Sequence, residues 1–545
     1  MWCWMRGRRA AFSPNLLGCA ILCAGMGGAW AQDGAQNGAQ NGAPTAPLSA
    51  IDWLSDSVAA TAPKADNASR ATLPPLAGEA PVSGGLDPDA PITTTILGGP
   101  SVDAVGLLAP AVTGLPRALW GGAAAQDVAA GIAGLQTDGI PALQTLAVNL
   151  LLAEADAPTR AASTAAGAVL LARVDKLLAM GALDQAFALI EAAGPATNAD
   201  LFRRAFDASL LMGEEDRACS AMRATRGLAI AAPARIFCAA RAGDWQGAHL
   251  TLATETALGR IPEIEAELLG RFLDPDTFGD TPMPPPPKPV TPLIWRLYDA
   301  LGETLPTGML PIAFAHAELS PRTGWKAQAE AAERLARAGV LSPNQLLGVY
   351  TAQKPAASGG VWDRIAAFQA FEAAITAQDP ARIAASLPMA YAAMKSAELE
   401  VPFADLYAEA LASQTLTPAA QEIAFELGLL SPAYERLAGA AGDDPRRAFL
   451  AGLARGDVAG LPATGALARA VAAGFAAPPL PDDLARLVSS RAVGMAILAA
   501  ISRIQTGVLG EDRAVTEGLA LLRALGLESA ARRTALELMI LERRG

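Results

Sequence analysis

Between Val169 and Gly259 one local pattern is stated three times. LLAMGALDQAF (Leu177 to Phe187), LLMGEEDRAC (Leu210 to Cys219) and AARAGDWQGAHL (Ala239 to Leu250) each place a glycine after an apolar stretch and an alanine five residues later. The pairs are Gly181 and Ala186, Gly213 and Ala218, and Gly243 and Ala248, with the glycines 32 and 30 residues apart. Glycine ends one helix by adopting the left-handed conformation, and a small residue lets the next helix pack close. Recurrence at this period predicts stacked helical hairpins. The expected fold is therefore all-α, an alpha-solenoid of antiparallel hairpins.

Composition agrees. Aromatics are only 5% of the 545 residues, alanine and leucine dominate the apolar positions, and alternating β-branched runs are scarce. The net charge of −12, with no Lys/Arg stripe, argues against nucleic-acid binding, which needs a cationic face to neutralise phosphates.

Residues 1–31 have the form of an export signal. Arg6, Arg8 and Arg9 give a positive start, Leu16 to Ala29 an apolar core, and Ala29-Trp30-Ala31 a small-x-small site with cleavage between Ala31 and Gln32. This leader resembles those of bacterial secretory proteins and implies a Gram-negative periplasm. Lipid anchoring through Cys19, in Leu16-Leu17-Gly18-Cys19, is the alternative. No later stretch is long and apolar enough to predict an integral membrane segment.

Residues 32–101 are Gly, Ala, Gln, Asn and Pro in low-complexity runs, read as a flexible tail that cannot bury enough apolar surface to order itself. One apolar island interrupts them at residues 51–58. Ile51, Leu54 and Val58 share a helical face with Trp53 beside it, a candidate docking segment for a partner groove or for the chain's own body. Ile92 to Leu97 reads as an extended run.

The body divides at the Pro-rich stretch 274–292, a spacer or strap, into helical-repeat regions 102–273 and 293–545. Leu115-Pro116 and Ile140-Pro141 predict helix starts, as do Ser320-Pro321, Ser342-Pro343 and Thr417-Pro418, each with proline at a first helical position. Trp325 to Ala338 and Asp363 to Thr376 read as helices, and Glu511 to Leu525 with Ser529 to Arg544 as a terminal hairpin.

The Gly/Ala pairs resemble tetratricopeptide and related helical-hairpin repeats, in which the first helix ends near a glycine and a small residue opens the second. The likeness covers about 90 residues well, with a later echo at Leu450 to Asp457. It departs from the family in its shorter period and irregular aromatic and proline positions. Such repeats imply a concave surface presented to protein partners.

Cys3, Cys19 and Cys23 fall in the leader, which leaves Cys219 and Cys238 for the mature chain. They stand symmetrically about the turn Arg226-Gly227-Leu228-Ala229, so two antiparallel helices hinged there would bring them level. A disulfide is expected in an oxidising compartment. A redox role is not, because C-x-x-C spacing and neighbouring cations are missing.

Signatures of catalysis are scarce. His249 and His316 are the two histidines, and neither has metal-ligand spacing; G-x-S-x-G and Walker A motifs are missing. Glu528-Ser529 matches the catalytic pair of soluble lytic transglycosylases, but too little chain follows to hold that domain. The expectation is a non-enzyme without cofactor or metal: a periplasmic scaffold binding other envelope proteins, in an assembly such as the flagellar motor or another trans-envelope machine. The alternative is a peptidoglycan-associated or glycan-binding factor, such as a superhelical module related to lytic transglycosylases without the catalytic domain.

Overall fold

In the computed structural model, residues 101–159, 166–194, 198–224, 231–279, 281–303, 305–439 and 444–541 are described. Among them every regular element is helical, and β-structure is confined to isolated bridges at Leu108–Ala153 and Ala124–Thr159. Leaving aside helical segments of three or four residues, the helices begin with α1 (Ala125–Ala133), α2 (Pro141–Leu152), α3 (Ala168–Ala179) and α4 (Leu183–Ala193). The repeat region continues with α5 (Ala199–Met212), α6 (Glu215–Ala224), α7 (Ala232–Arg241), α8 (Trp245–Ala257) and α9 (Glu263–Leu273). After the Pro-rich stretch come α10 (Pro292–Ala300), α11 (Trp325–Arg337), α12 (Pro343–Thr351), α13 (Val361–Thr376), α14 (Pro380–Ser396), α15 (Glu400–Ala412) and α16 (Pro418–Leu430). The last are α17 (Pro445–Arg455), α18 (Ala466–Phe475), α19 (Asp482–Ser489), α20 (Val493–Val508), α21 (Asp512–Ala524) and α22 (Glu528–Ile540). Sequential helices pack as neighbouring pairs, the all-α hairpin stack expected of the sequence.

The three glycines make one turn, three times. Gly181, Gly213 and Gly243 have φ of 80°, 78° and 84°. In each case the next amide reaches back five residues: Ala182 to the Leu177 carbonyl, Glu214 to Ser209, and Asp244 to Ala239, at 2.8 to 3.0 Å. This is the Schellman closure, which satisfies helix-end carbonyls and reverses the chain. Ala186, Ala218 and Ala248 are all buried at the hairpin seams.

The same closure recurs where no glycine marks it. Asp379 N–H bonds the Ala374 carbonyl around Gln378, Leu399 bonds Met394 around Glu398, and Ala492 bonds Leu487 around Arg491. Gln378, Glu398 and Arg491 have φ of 51°, 56° and 57°. Five residues beyond each, Ile383, Phe403 and Ala496 are buried. The hairpin grammar therefore runs through the C-terminal half, with side chains held at a backbone conformation that costs a non-glycine residue about 1 kcal/mol.

Two expected helix starts are not helical. Leu115 to Trp120 forms turns instead, because its backbone is engaged elsewhere: the Leu119 carbonyl accepts from Gly494 N–H (2.7 Å) and the Arg117 carbonyl from Asp156 N–H (2.7 Å). At Ser320-Pro321 a turn closes from Thr323 N–H to the Ser320 carbonyl, Gln328 Nε2 donates to both carbonyls, and the helix opens at Trp325. Ser342-Pro343 does begin α12, with a full capping box to Gln345.

The main core draws on residues 115–205 and 315–541, so the first helices of the body pack on the last ones. α2 lies against α22 and α20, and α1 against α20. Close approach depends on Gly494, where a Cβ would stand 2.5 Å from the Trp120 ring. A second core, from Phe202 to Tyr298, is built by α5 through α10 and spans the Pro-rich stretch. That stretch is held by Arg271, whose guanidinium donates to the Thr281 and Pro282 carbonyls (3.0 and 2.9 Å), and by Tyr298 Oη donating to Pro284 (2.6 Å).

Buried charges cap helices of other hairpins. Asp103 accepts from Leu170 N–H (2.8 Å) and Gly167 N–H (3.2 Å) at the start of α3. Arg173 donates to the carbonyls of Leu151, Val105 and Ala153, and Lys176 to those of Ala133 and Leu135. Burial pushes Arg173 down to about 10, with Asp103 pulling the other way, so it stays cationic at neutral pH.

Candidate functional site

Elements of the second core leave a cavity of about 760 Å³ on one side. It is lined by the N-terminal halves of α5 and α7, by Glu255 of α8, by Arg260 and Glu265 before and within α9, and by Thr291 and Leu293 where α10 begins. The lining is thus shared by helices from successive parts of the repeat region.

Each element starts for local reasons. Asn198 caps α5 by accepting from Asp200 and Leu201 N–H, Pro233 sits in the first turn of α7, and Thr291 Oγ1 accepts from Ile294 N–H ahead of α10. Phe206, Pro233, Ala234 and Leu293 form buried apolar walls.

The arginines are more exposed than most of the acids. Arg203, Arg235 and Arg260 are solvent-facing, with side chains 65%, 50% and 65% exposed. Glu255 is only 12% exposed and holds two of them, Arg235 at 2.9 Å and Arg260 at 3.4 Å, while Asp200 lies 3.8 Å from Arg203. Asp207 and Glu265 on the same lining are also half-buried. Burial pushes Asp207 up to about 6, against the pull of Arg203 and Arg204. Arg204 itself is engaged by Asp175 of α3, with Nη2 at 2.7 Å. Burial also raises Glu265. Asp207 and Glu265 were not visible as site residues in the sequence, because single acids on amphipathic helices look like solvated faces.

The cysteines are joined. Cys219 on α6 and Cys238 on α7 form a buried disulfide with Cα atoms 5.1 Å apart, tying one hairpin to the leading helix of the next, beside the cavity wall. The turn at 226–229 lies outside the described residues, as do Ala31 and Gln32, Cys19, the docking candidates Ile51, Trp53, Leu54 and Val58, and the run Ile92 to Leu97.

Glu528 is a structural acid. Burial would raise it, but hydrogen bonds from Arg523 Nε (2.9 Å) and Arg532 Nε (3.0 Å) outweigh that and lower it. A general acid needs the opposite shift. Ser529 Oγ lies 3.3 Å from Tyr434 Oη. His316 is half-buried, with Nε2 2.7 Å from the Gly181 carbonyl, and burial lowers its pKa. His249 is exposed. Among the described residues no His, Cys, Asp and Glu cluster could hold a metal, and no helix is long and apolar enough to cross a membrane. Compared with known protein families, with characterised proteins and with solved structures, the chain matches none.

Proposed function

We propose that this protein is an exported, non-enzymatic helical-hairpin scaffold that holds an extended segment of another cell-envelope protein in the α5/α7/α9 cavity. The observation that carries the reading is the lining: α5, α7, α8, α9 and α10 of the repeat region all contribute residues to one cavity. A surface built by repetition recognises extended chains, because each unit offers the next stretch of peptide a similar contact. The disulfide fits an oxidising compartment, and the sequence of residues 1–31 supplies the route to it.

A glycan ligand is disfavoured by the same walls. Phe206 is the one aromatic ring among the lining residues, and it is 3% exposed, which leaves no ring face for a sugar to stack on. The envelope machine served, a flagellar motor or another, is a matter for genetics.

The test is comparative co-purification from crosslinked envelopes, with wild type set against Ala232→Trp, which fills the cavity rim. A defined partner recovered with wild type and lost with the filled cavity supports the proposal. Identical partner sets, or hydrolysis of peptidoglycan or peptide by the purified protein, would overturn it.

A further inference from the structure

The α5/α7/α9 cavity selects a cationic side chain: we infer that a lysine or arginine of the bound segment enters it and is met by Asp207 and Glu265. The inference rests on the peptide-binding reading above and adds the ligand's chemistry.

The cavity defines the site, and its charges define what the site takes. Its volume lies in the roughly 300–1,000 Å³ range typical of ligand pockets. Every arginine on its lining already faces a carboxylate: Arg235 and Arg260 share Glu255, and Arg203 faces Asp200. These pairs leave no arginine on the lining without a carboxylate to receive an anionic ligand. Asp207 and Glu265 are the converse. Both are half-buried, and neither accepts a hydrogen bond or stands in an ion pair among the described residues, although Arg203 and Arg204 attract Asp207 from a distance. A half-buried carboxylate without a donor is unfavourable to leave as it is. An ammonium or guanidinium arriving with its own N–H donors satisfies such a carboxylate through charge-assisted bonds.

The apolar walls suit the rest of such a side chain. Phe206, Pro233 and Leu293 can pack along the methylene stem of lysine or arginine while its charged end reaches the acids. A carboxylate or phosphate entering the same space would be repelled by Asp207 and Glu265, so the site also rejects acidic segments.

The experiment is selection of a phage-displayed library of random 12-residue peptides on the full mature chain, with Ala232→Trp as the blocked control. Wild type is expected to enrich peptides carrying Lys or Arg at a fixed position. Anisotropy titration of one selected peptide should weaken about tenfold or more with D207N/E265Q, and equally when that Lys is changed to Gln in the peptide. The two losses should not add, since they remove two sides of one contact. Both replacements keep side-chain size, and unchanged helical circular dichroism confirms that the variant is folded. Cavity-dependent peptides without Lys or Arg enrichment would overturn the cationic specificity while leaving peptide binding intact. No cavity-dependent peptides at all would overturn both.

Discussion

Glu537 Oε2 accepts a hydrogen bond of 2.7 Å from Ala142 N–H, across 395 residues of sequence. Pro141 opens α2 and has no N–H, so Ala142 carries the first amide of that helix in need of an acceptor. No side chain caps α2 locally, and the carboxylate comes instead from the last helix of the body. A negative group at a helix N-terminus is also favoured by the helix dipole. The contact closes the hairpin stack, joining the first units to the last.

Removing that carboxylate should be costly. Glu537→Ala is predicted to destabilise the body by about 2–4 kcal/mol, through a buried amide without an acceptor and a new void. Glu537→Gln keeps an acceptor and should cost less. Denaturant unfolding gives the magnitude. Hydrogen exchange should show faster exchange in α2 and α22, and protection unchanged there would refute the closure role.

Gln378 stands exposed at φ 51° in a turn that glycine makes elsewhere in the same chain. Gln378→Gly is predicted to stabilise by about 0.5–1 kcal/mol, because relief of left-handed strain exceeds the entropy glycine adds to the unfolded chain. A rise in thermal midpoint checks this, and a fall would show that the Gln378 side chain makes an unrecognised contact.

The fold was legible where its grammar was written in glycine. Gly181, Gly213 and Gly243 announced their turns because glycine is the residue that adopts positive φ at least cost. The turns at Gln378, Glu398 and Arg491 have the same geometry but carry no such mark, so in the C-terminal half the echo at Leu450 to Asp457 was the legible repeat and these turns were not. Leu115 to Trp120 failed for another reason. Its backbone is recruited by Gly494 and Asp156, partners far away in sequence, and no local pattern reports them. The disulfide was readable because Cys219 and Cys238 are the two cysteines beyond residues 1–31 and their symmetry about one turn was a geometric statement. The cavity was not, because Asp207 and Glu265 come to line one space only when α5, α7, α9 and α10 are packed together.

Asp207 should make stability fall as pH rises through mildly acidic values. Its folded pKa of about 6 lies above the ordinary aspartate value of 3.8, so the native state holds the proton longer. Native stability from this group is fully present below about pH 4, declines as pH rises through about 6, and is then lost. Asp207→Asn is therefore predicted to stabilise at pH 7.5 by on the order of 1–2 kcal/mol, allowing for partial solvent screening, and to be neutral near pH 4. Urea unfolding at the two pH values checks it. A destabilised variant at pH 7.5 would mean that attraction to Arg203 and Arg204 outweighs burial.

The Cys219–Cys238 bridge closes a loop with a sequence separation of 19. Replacing both cysteines with alanine should cost about 3 kcal/mol in the chain-entropy model and lower local protection in α6 and α7 most. Mass spectrometry of alkylated native protein, without and with reductant, establishes the bond directly, and two freely alkylated thiols without reductant would contradict it.

The central claim is that the α5/α7/α9 cavity receives a partner's extended segment. Site-specific photo-crosslinking in living cells tests it most directly, with the reactive residue placed in turn at Ala199, Arg203 and Ala232 on the lining and at Ala253 and Leu509 away from it. The account predicts adducts to the same protein from all three lining positions, mapping to one Lys- or Arg-containing stretch, and none from Ala253 or Leu509. Adducts of equal yield from the outer positions, or none from the lining, would contradict it.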